Sequence, residues 1–216
     1  NKASYLASWG ANIGNESGPL VGGYAGGPAE TAILNVAYRL IGMLVLNCDY
    51  HLTFPVHISK GCSTTRDVLW TVALSNQAIS RNTQELVWSL GYIAAGPMTK
   101  QFFYETAAYL AASIPSGLSA QTTHPARAVL NDYVTPMEMQ GSVEINQACV
   151  GMKREQGNEL AQQLLAKYED QIDDAPQGQP YQDCYDLETG RPCQAYVDLY
   201  GEVKEELGQM GFPFRH

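Results

Sequence analysis

From Ala29 to Ile114 the apolar residues switch spacing repeatedly, and this alternation restricts the fold more than any other feature of the sequence. Ile33, Val36, Ala37, Leu40, Ile41 and Leu44 recur at intervals of three and four, which predicts an amphipathic helix over Ala29–Leu46 with Pro28 near its first turn. "HLTFPVHIS" alternates and is β-branched, so it reads as a strand ending near His57 or Ile58. A second helix is predicted from Thr64 or Thr65 to about Trp88, capped by "CSTTRD" and carrying Val68, Leu69, Val72, Leu74, Ile79, Leu86 and Val87. "SLGYIAAG" follows as a short strand, and "PMTKQFFYETAAYLAASI" as a third helix that opens with Pro97 and stops before Pro115. Helix, strand, helix, strand, helix specifies an α/β fold with parallel strands. A closed (β/α)8 barrel needs about 250 residues, so a chain of 216 residues with two clear strands in its first half is expected to be part of one.

The remainder is less periodic. "SAQTTHPARAVLNDYVTP" mixes loop and short apolar pieces, Pro136 to about Ile172 is largely helical, "DAPQGQPYQDCYDLETGRPC" is a turn-rich connection, and Gln194–Met210 is a terminal helix, an extension reaching about residue 212. One domain over residues 1–216 is expected. Apolar residues make up 45% and charged residues 16%, a balance that fits a globular chain with part of its surface covered by a partner subunit. The net charge of −9 argues against nucleic-acid binding, which needs clustered Lys and Arg. No apolar run approaches the ~18 residues of a membrane span, and no secretion signal is visible. Five cysteines without CxxC spacing favour neither a disulfide framework nor a metal site, and make a reducing, cytoplasmic setting the default. A first residue Asn1 in place of methionine reads as a processed or partial product.

Residues 21–33, "VGGYAGGPAETAI", place four glycines before a helix start. Gly23, Tyr24 and Gly26 either make room for a ligand or only form a tight turn between strand and helix. The stretch is no phosphate-binding fingerprint, because no Gly-Lys-Ser/Thr follows and no strand clearly precedes it. Glu16 lies in a loop where a carboxylate can face a cleft or simply be solvated. His51 and His57, six residues apart, share a strand face by period two but are too far apart to grip one metal; His57, at the presumed C-terminal strand end, is the better candidate for a functional role. Tyr92 is either a ligand-binding phenol or an ordinary core tyrosine. Arg66, a cation in the first turn of a helix, calls for an anionic partner, with a structural ion pair favoured.

The ordered series "GGYAGGPAETAI", "HLTFPVHI", "STTRD", "AAGPMT", "PMEMQG" and "QDCYDLETGRP" resembles the C-terminal half of the monomethylamine methyltransferases of methanogens, from about the first residues to about Phe212. The resemblance implies part of a (β/α)8 barrel, assembled as a homohexamer, that moves a methyl group from methylamine to the cobalt of a cognate corrinoid protein. It implies pyrrolysine in a half that precedes residue 1, and no cofactor bound by this chain itself. Glu16 matches the family glutamate that is thought to protonate the pyrrolysine imine, and Tyr92 a tyrosine near the same ring. Leu90 stands where the family has a glutamine that contacts the adduct. The "GGYAGG" turn would then let backbone approach the mouth where substrate and corrinoid meet. Two other readings remain: a pyrrolysine-free relative acting on another methylated amine, which Leu90 favours, and a non-catalytic, truncated barrel subunit. Exposed strand edges make half a barrel a poor independent fold, so an N-terminal half is expected in the functional protein.

Overall fold

A computed structural model describes residues 2–214. A short helix α1 (Lys2–Ser8) leads into strands β1 (Gly14–Ser17) and β2 (Leu20–Val21), then α2 (Pro28–Leu44), β3 (Tyr50–Thr53), β4 (Val56–His57) and α3 (Arg66–Asn82). Next come β5 (Val87–Tyr92), α4 (Lys100–Ser113), β6 (Ala120–His124), α5 (Pro136–Cys149), α6 (Arg154–Tyr168), α7 (Tyr181–Cys184) and α8 (Gln194–Met210). The strands β1, β3, β5 and β6 are hydrogen-bonded in that order, and every pair is parallel. Each connection between neighbours carries a helix, the usual way to join parallel strands.

The pair β2–β4 continues β1–β3 past a break. Ser17 pairs with Thr53 and Leu20 with Val56, so the offset along the chain is unchanged, and the residues between include Pro19 and Pro55 at equivalent positions. Proline has no N–H for the ladder. Phe54 N–H to the Ser17 carbonyl (3.0 Å) and Val56 N–H to the Pro19 carbonyl (3.1 Å) carry the pairing across the gap.

Strand alternation sends one set of side chains toward the helices. Asn15, His51, Thr53, Ser89 and Gly91 belong to it, because Asn15 bonds the Tyr38 carbonyl, His51 abuts Gly42, Thr53 meets Arg39, Ser89 meets Tyr109, and a Cβ on Gly91 would touch Tyr109. This layer is unusually polar. Arg39 is 1% exposed, and its guanidinium donates to Asn76 Oδ1 (2.9 Å) and Thr53 Oγ1 (2.5 Å), with Asn35 bonded to Ser75 (2.7 Å) alongside. Burial lowers the Arg39 pKa to about 10, which still leaves it a cation at neutral pH. Gly42 is required where α2 crosses β3, since a Cβ there would strike the His51 ring.

The helix α4 is buried on most of its circumference, Phe102, Phe103, Ala107, Ala108, Tyr109 and Leu110 among the buried residues. Such a helix needs packing on every side. The sheet lies on one side and α3, α5, α6 and α8 on the others. Its wholly buried Glu105 accepts from the backbone N–H of Ala94 (2.8 Å) and Ala95 (3.0 Å), from Gln101 Nε2 (3.0 Å) and from the Thr64 hydroxyl. One carboxylate thus ties α4 to the turn after β5 and to the loop before α3. Burial lifts its pKa, while the four donors favour the ionised form.

Several expectations need correction. The second helix ends at Asn82, not near Trp88; Leu86 precedes β5, and Val87 and Trp88 belong to it, because an apolar run cannot by itself separate helix from strand. "HLTFPVHIS" is two strands split at Pro55. The glycine turn is preceded by strands β1 and β2, short and polar enough to read as loop. Pro97 lies outside α4, which is capped by Thr99. "SAQTTH" contains β6, and the helical stretch from Pro136 is two helices broken at Val150–Lys153.

Glu105→Gln keeps the shape but turns an amide NH2 toward backbone donors. We expect a loss of about 3 kcal/mol, read as a lower urea midpoint at unchanged slope in the full-length protein.

Candidate active site

Among the described residues no helix covers the opposite face of the sheet. By alternation it presents Gly14, Glu16 and Gly18 from β1 and its continuation, Tyr50, Leu52 and Phe54 from β3, Trp88, Leu90 and Tyr92 from β5, and Thr122 and His124 from β6. Glycine at 14 and 18 leaves space for neighbouring rings: a Cβ at Gly14 would enter the Tyr50 ring and one at Gly18 the Phe54 ring. Tyr50 and Trp88 pack with centroids 5.3 Å apart toward the N-terminal ends of the strands. Toward the C-terminal ends, Tyr92 sits between Phe54 (5.5 Å) and His124 (6.0 Å, edge-on).

Polar chemistry gathers at that C-terminal end. Burial raises the Tyr92 phenol pKa, and the charge on Glu16, two strands away on the same face, raises it further. His124 is half-buried and paired in register with Tyr92, and burial lowers its pKa. Leu90, 7% exposed, sits on the same face one alternation before Tyr92. The open end thus holds a carboxylate, a phenol and an imidazole above an aromatic and aliphatic floor. No group of three or more metal-ligating side chains occurs among the described residues.

The backbone behind these groups is fixed from several directions. Ser63 donates its N–H to the Tyr92 carbonyl (2.7 Å), accepts the Tyr92 N–H on its hydroxyl (3.1 Å) and donates that hydroxyl to the Pro55 carbonyl (2.8 Å). Immediately after His124, Ala126, Arg127 and Ala128 all have φ between 49° and 58°, a left-handed run that costs non-glycine residues about 1–2 kcal/mol each. It is held by Ala126 N–H to the Ala95 carbonyl (2.9 Å), Arg127 N–H to the Ile93 carbonyl (2.7 Å) and Arg127 Nε to the Lys60 carbonyl (2.9 Å). Strain retained beside a strand end is a mark of functional sites.

The sequence candidates separate into two groups. Glu16, Leu90 and Tyr92 meet on the open face. His51 and His57 do share a face, but it is the helix face: His51 is buried against α2, and His57 pairs with the buried Val21 and lines a small recess with Lys60, Thr65, Arg66 and Glu169. His57 is therefore not brought to the other three. Gly23, Tyr24 and Gly26 form a turn closed on itself, Gly22 N–H to the Gly26 carbonyl (2.7 Å) and Gly26 N–H to the Gly23 carbonyl (3.1 Å), with φ of +103° at Gly26 and Tyr24 fully exposed at the tip. Arg66 has the structural ion pair expected of it, a two-bond contact with Glu169. His124 and Phe54 are absent from the sequence candidates. The signal for His124 was the β-branched pair in "QTTHP" ended by proline, a strand terminus too short to stand out.

Residues 1–212 match the family model described as Monomethylamine methyltransferase MtmB. MtmB3 of Methanosarcina barkeri (strain Fusaro / DSM 804) is 32% identical over 215 residues, 98% of this chain and 47% of that protein; MtmB2 of Methanosarcina acetivorans is 32% identical over 213 residues, 97% and 46%. The crystal structure of the Methanosarcina barkeri monomethylamine methyltransferase superposes with a TM-score of 0.94 at 30% identity, covering 98% of this chain and 47% of that one; a crystal structure of the hydroxylamine MtmB complex superposes equally well. The chain spans about half the length of the relatives it matches. Its four parallel strands and their helices are part of a TIM-type (β/α)8 barrel, the open face being the one that looks into the barrel. The chain belongs to the monomethylamine methyltransferase family.

Proposed function

We propose that this chain supplies one half of the catalytic barrel of a methylamine:corrinoid-protein methyltransferase. The observation that carries the reading is that Glu16 and Tyr92 lie on the same uncovered sheet face toward the C-terminal strand ends, where barrels of this type place their chemistry. Support comes from the names of the relatives and from the hydroxylamine complex of one of them, a molecule that shares the nucleophilic nitrogen of a small amine.

The preceding half is expected to contribute pyrrolysine, whose imine supplies an electrophilic carbon. The residues here suit such a group: an exposed carboxylate on the same face as a phenol and an imidazole, above a wall of aromatic rings. Glu16 would be the proton donor toward the imine nitrogen, Tyr92 would fix the polar edge of the site, and Phe54 and Leu90 would line it. The rest of the rate comes from holding the amine where the cobalt of a corrinoid partner approaches the methyl in line. Gly23, exposed Tyr24 and Gly26 are proposed to face that partner, with the small residues limiting bulk at the mouth.

Leu90 favours a second reading, a pyrrolysine-free relative acting on a different methylated amine. A methyl-bearing wall in place of an amide removes one polar contact to the substrate. Homo-oligomerisation is proposed as well; the outward side of α2 carries exposed Ile33, Leu40 and Leu44 with no charge among them, next to exposed Trp70 and Leu74 of α3. No helix is long and apolar enough to cross a membrane among the described residues.

In the full-length protein with its corrinoid partner, Glu16→Gln is expected to lower methyl transfer by about 10²–10³-fold with little change in thermal stability, because an exposed proton donor is lost. A variant of unchanged rate would sink the reading. Leu90→Gln separates the two substrate readings: a rise in monomethylamine turnover marks a site adapted away from it, and an unchanged preference leaves the second reading without its observation.

A further inference from the structure

An alkylamine is protonated near neutral pH, as the lysine side chain is, with a pKa of about 10.4. Its nitrogen has no free lone pair in that state, so addition to any electrophile requires a group that takes a proton as well as one that gives a proton. Glu16 is occupied as donor in the function proposed above; Tyr50 and Trp88 lie toward the N-terminal strand ends, and the other polar groups that this chain places toward the C-terminal end of the open face are the Tyr92 phenol, the Thr122 hydroxyl and the His124 imidazole. A phenol whose pKa is raised is a poor proton acceptor at neutral pH, and an aliphatic hydroxyl is poorer still.

We propose that His124 is a further catalytic residue, the base that accepts the proton of the bound methylammonium and leaves its nitrogen free to attack. The inference rests on the methyltransferase reading. His124 ends β6 on the same face as Glu16 and stands edge-on to Tyr92 at 6.0 Å. Its ring is only half-buried at the open end of the sheet, so a ring nitrogen can be reached by a bound amine. The strand end that carries it is anchored by Ile93 N–H to the His124 carbonyl (2.9 Å) and followed directly by the strained, Arg127-held turn. The group that faces the ring is Tyr92 from β5; Glu16 lies on the same sheet face in β1, two strands beyond β5, and the Arg127 guanidinium is turned away to the Lys60 and Ile172 carbonyls. Burial keeps the ring neutral at neutral pH. In the step, the N–H bond of the ammonium breaks, its electron pair remains on nitrogen, and the proton passes to a ring nitrogen; methylammonium and imidazole become methylamine and imidazolium, with charge conserved.

Hydroxylamine provides the test, because it is a far weaker base than methylamine and is largely unprotonated at neutral pH. Wild type and His124→Gln, both full-length, are compared for methylamine turnover and for capture of hydroxylamine read by intact mass. The expected result is a loss of about 10²-fold or more in methylamine turnover at pH 7, recovering about tenfold per pH unit toward pH 10, with hydroxylamine capture unchanged. In wild type, methylamine turnover falls on acidification through the midpoint at which the His124 ring titrates by NMR, below the ordinary value of about 6.5. Equal losses with both amines would show that the ring only positions the site, and an unchanged methylamine rate would place the proton acceptor elsewhere, on Glu16 or in the preceding half; either overturns the proposal. If the variant does not fold, a wild-type profile that ignores the His124 titration overturns it as well. Failure of wild type with both amines would reject the methyltransferase reading itself.

Discussion

The open end of the sheet depends on one buried carboxylate. Glu105 reaches from α4 to the N–H groups of Ala94 and Ala95 and to the Thr64 hydroxyl, and no cation accompanies it among the described residues. Backbone N–H groups in the turns after parallel strands have no ladder partners and would be costly to bury unpaired. The carboxylate satisfies two of them at once and fixes the loop in which the neighbouring Ser63 grips the backbone of Tyr92 on both its N–H and its carbonyl. The position of the phenol on the open face is thereby tied to a helix on the opposite side of the sheet.

The paired breaks at Pro19 and Pro55 act on the same region. They interrupt two neighbouring strands at the same level, so both chains bend together and keep their register. Just before the breaks, glycine at 14 and 18 in β1 lets the rings of Tyr50 and Phe54 lie across it. Small residues on one strand and large rings on the next form a wall that is apolar below and polar at its upper rim. The rim carries Glu16, Tyr92 and His124, and the floor the Tyr50 and Trp88 rings.

The polar layer between sheet and helices shows a different solution to burial. Among the described residues Arg39 has no carboxylate partner and depends on neutral acceptors, Asn76 and Thr53, with Nε unpaired. An arrangement of this kind stabilises less than a well-packed apolar layer would, but it holds α2 and α3 against β3 in one register, because a displaced helix would leave the cation without acceptors.

By itself the sequence determined the local elements and the residue types available for chemistry. The helix α2 was legible from its three-four spacing, α8 from its boundaries, and the α/β class with parallel strands from the alternation of periods, since these signals arise within a few consecutive residues. Glu16, Leu90 and Tyr92 were also legible, through a family resemblance and not through any spacing between them. The tertiary structure alone decided which side chains meet. β1 and β6 are short, polar strands whose stability comes from neighbours distant in the chain, so "GNES" and "AQTTH" carry too little periodicity to be seen locally. Strand parity then sent His57 to the helix face, and the pairing of β5 with β6 set His124 beside Tyr92, a contact between residues 32 positions apart that exists only once the ladder has formed.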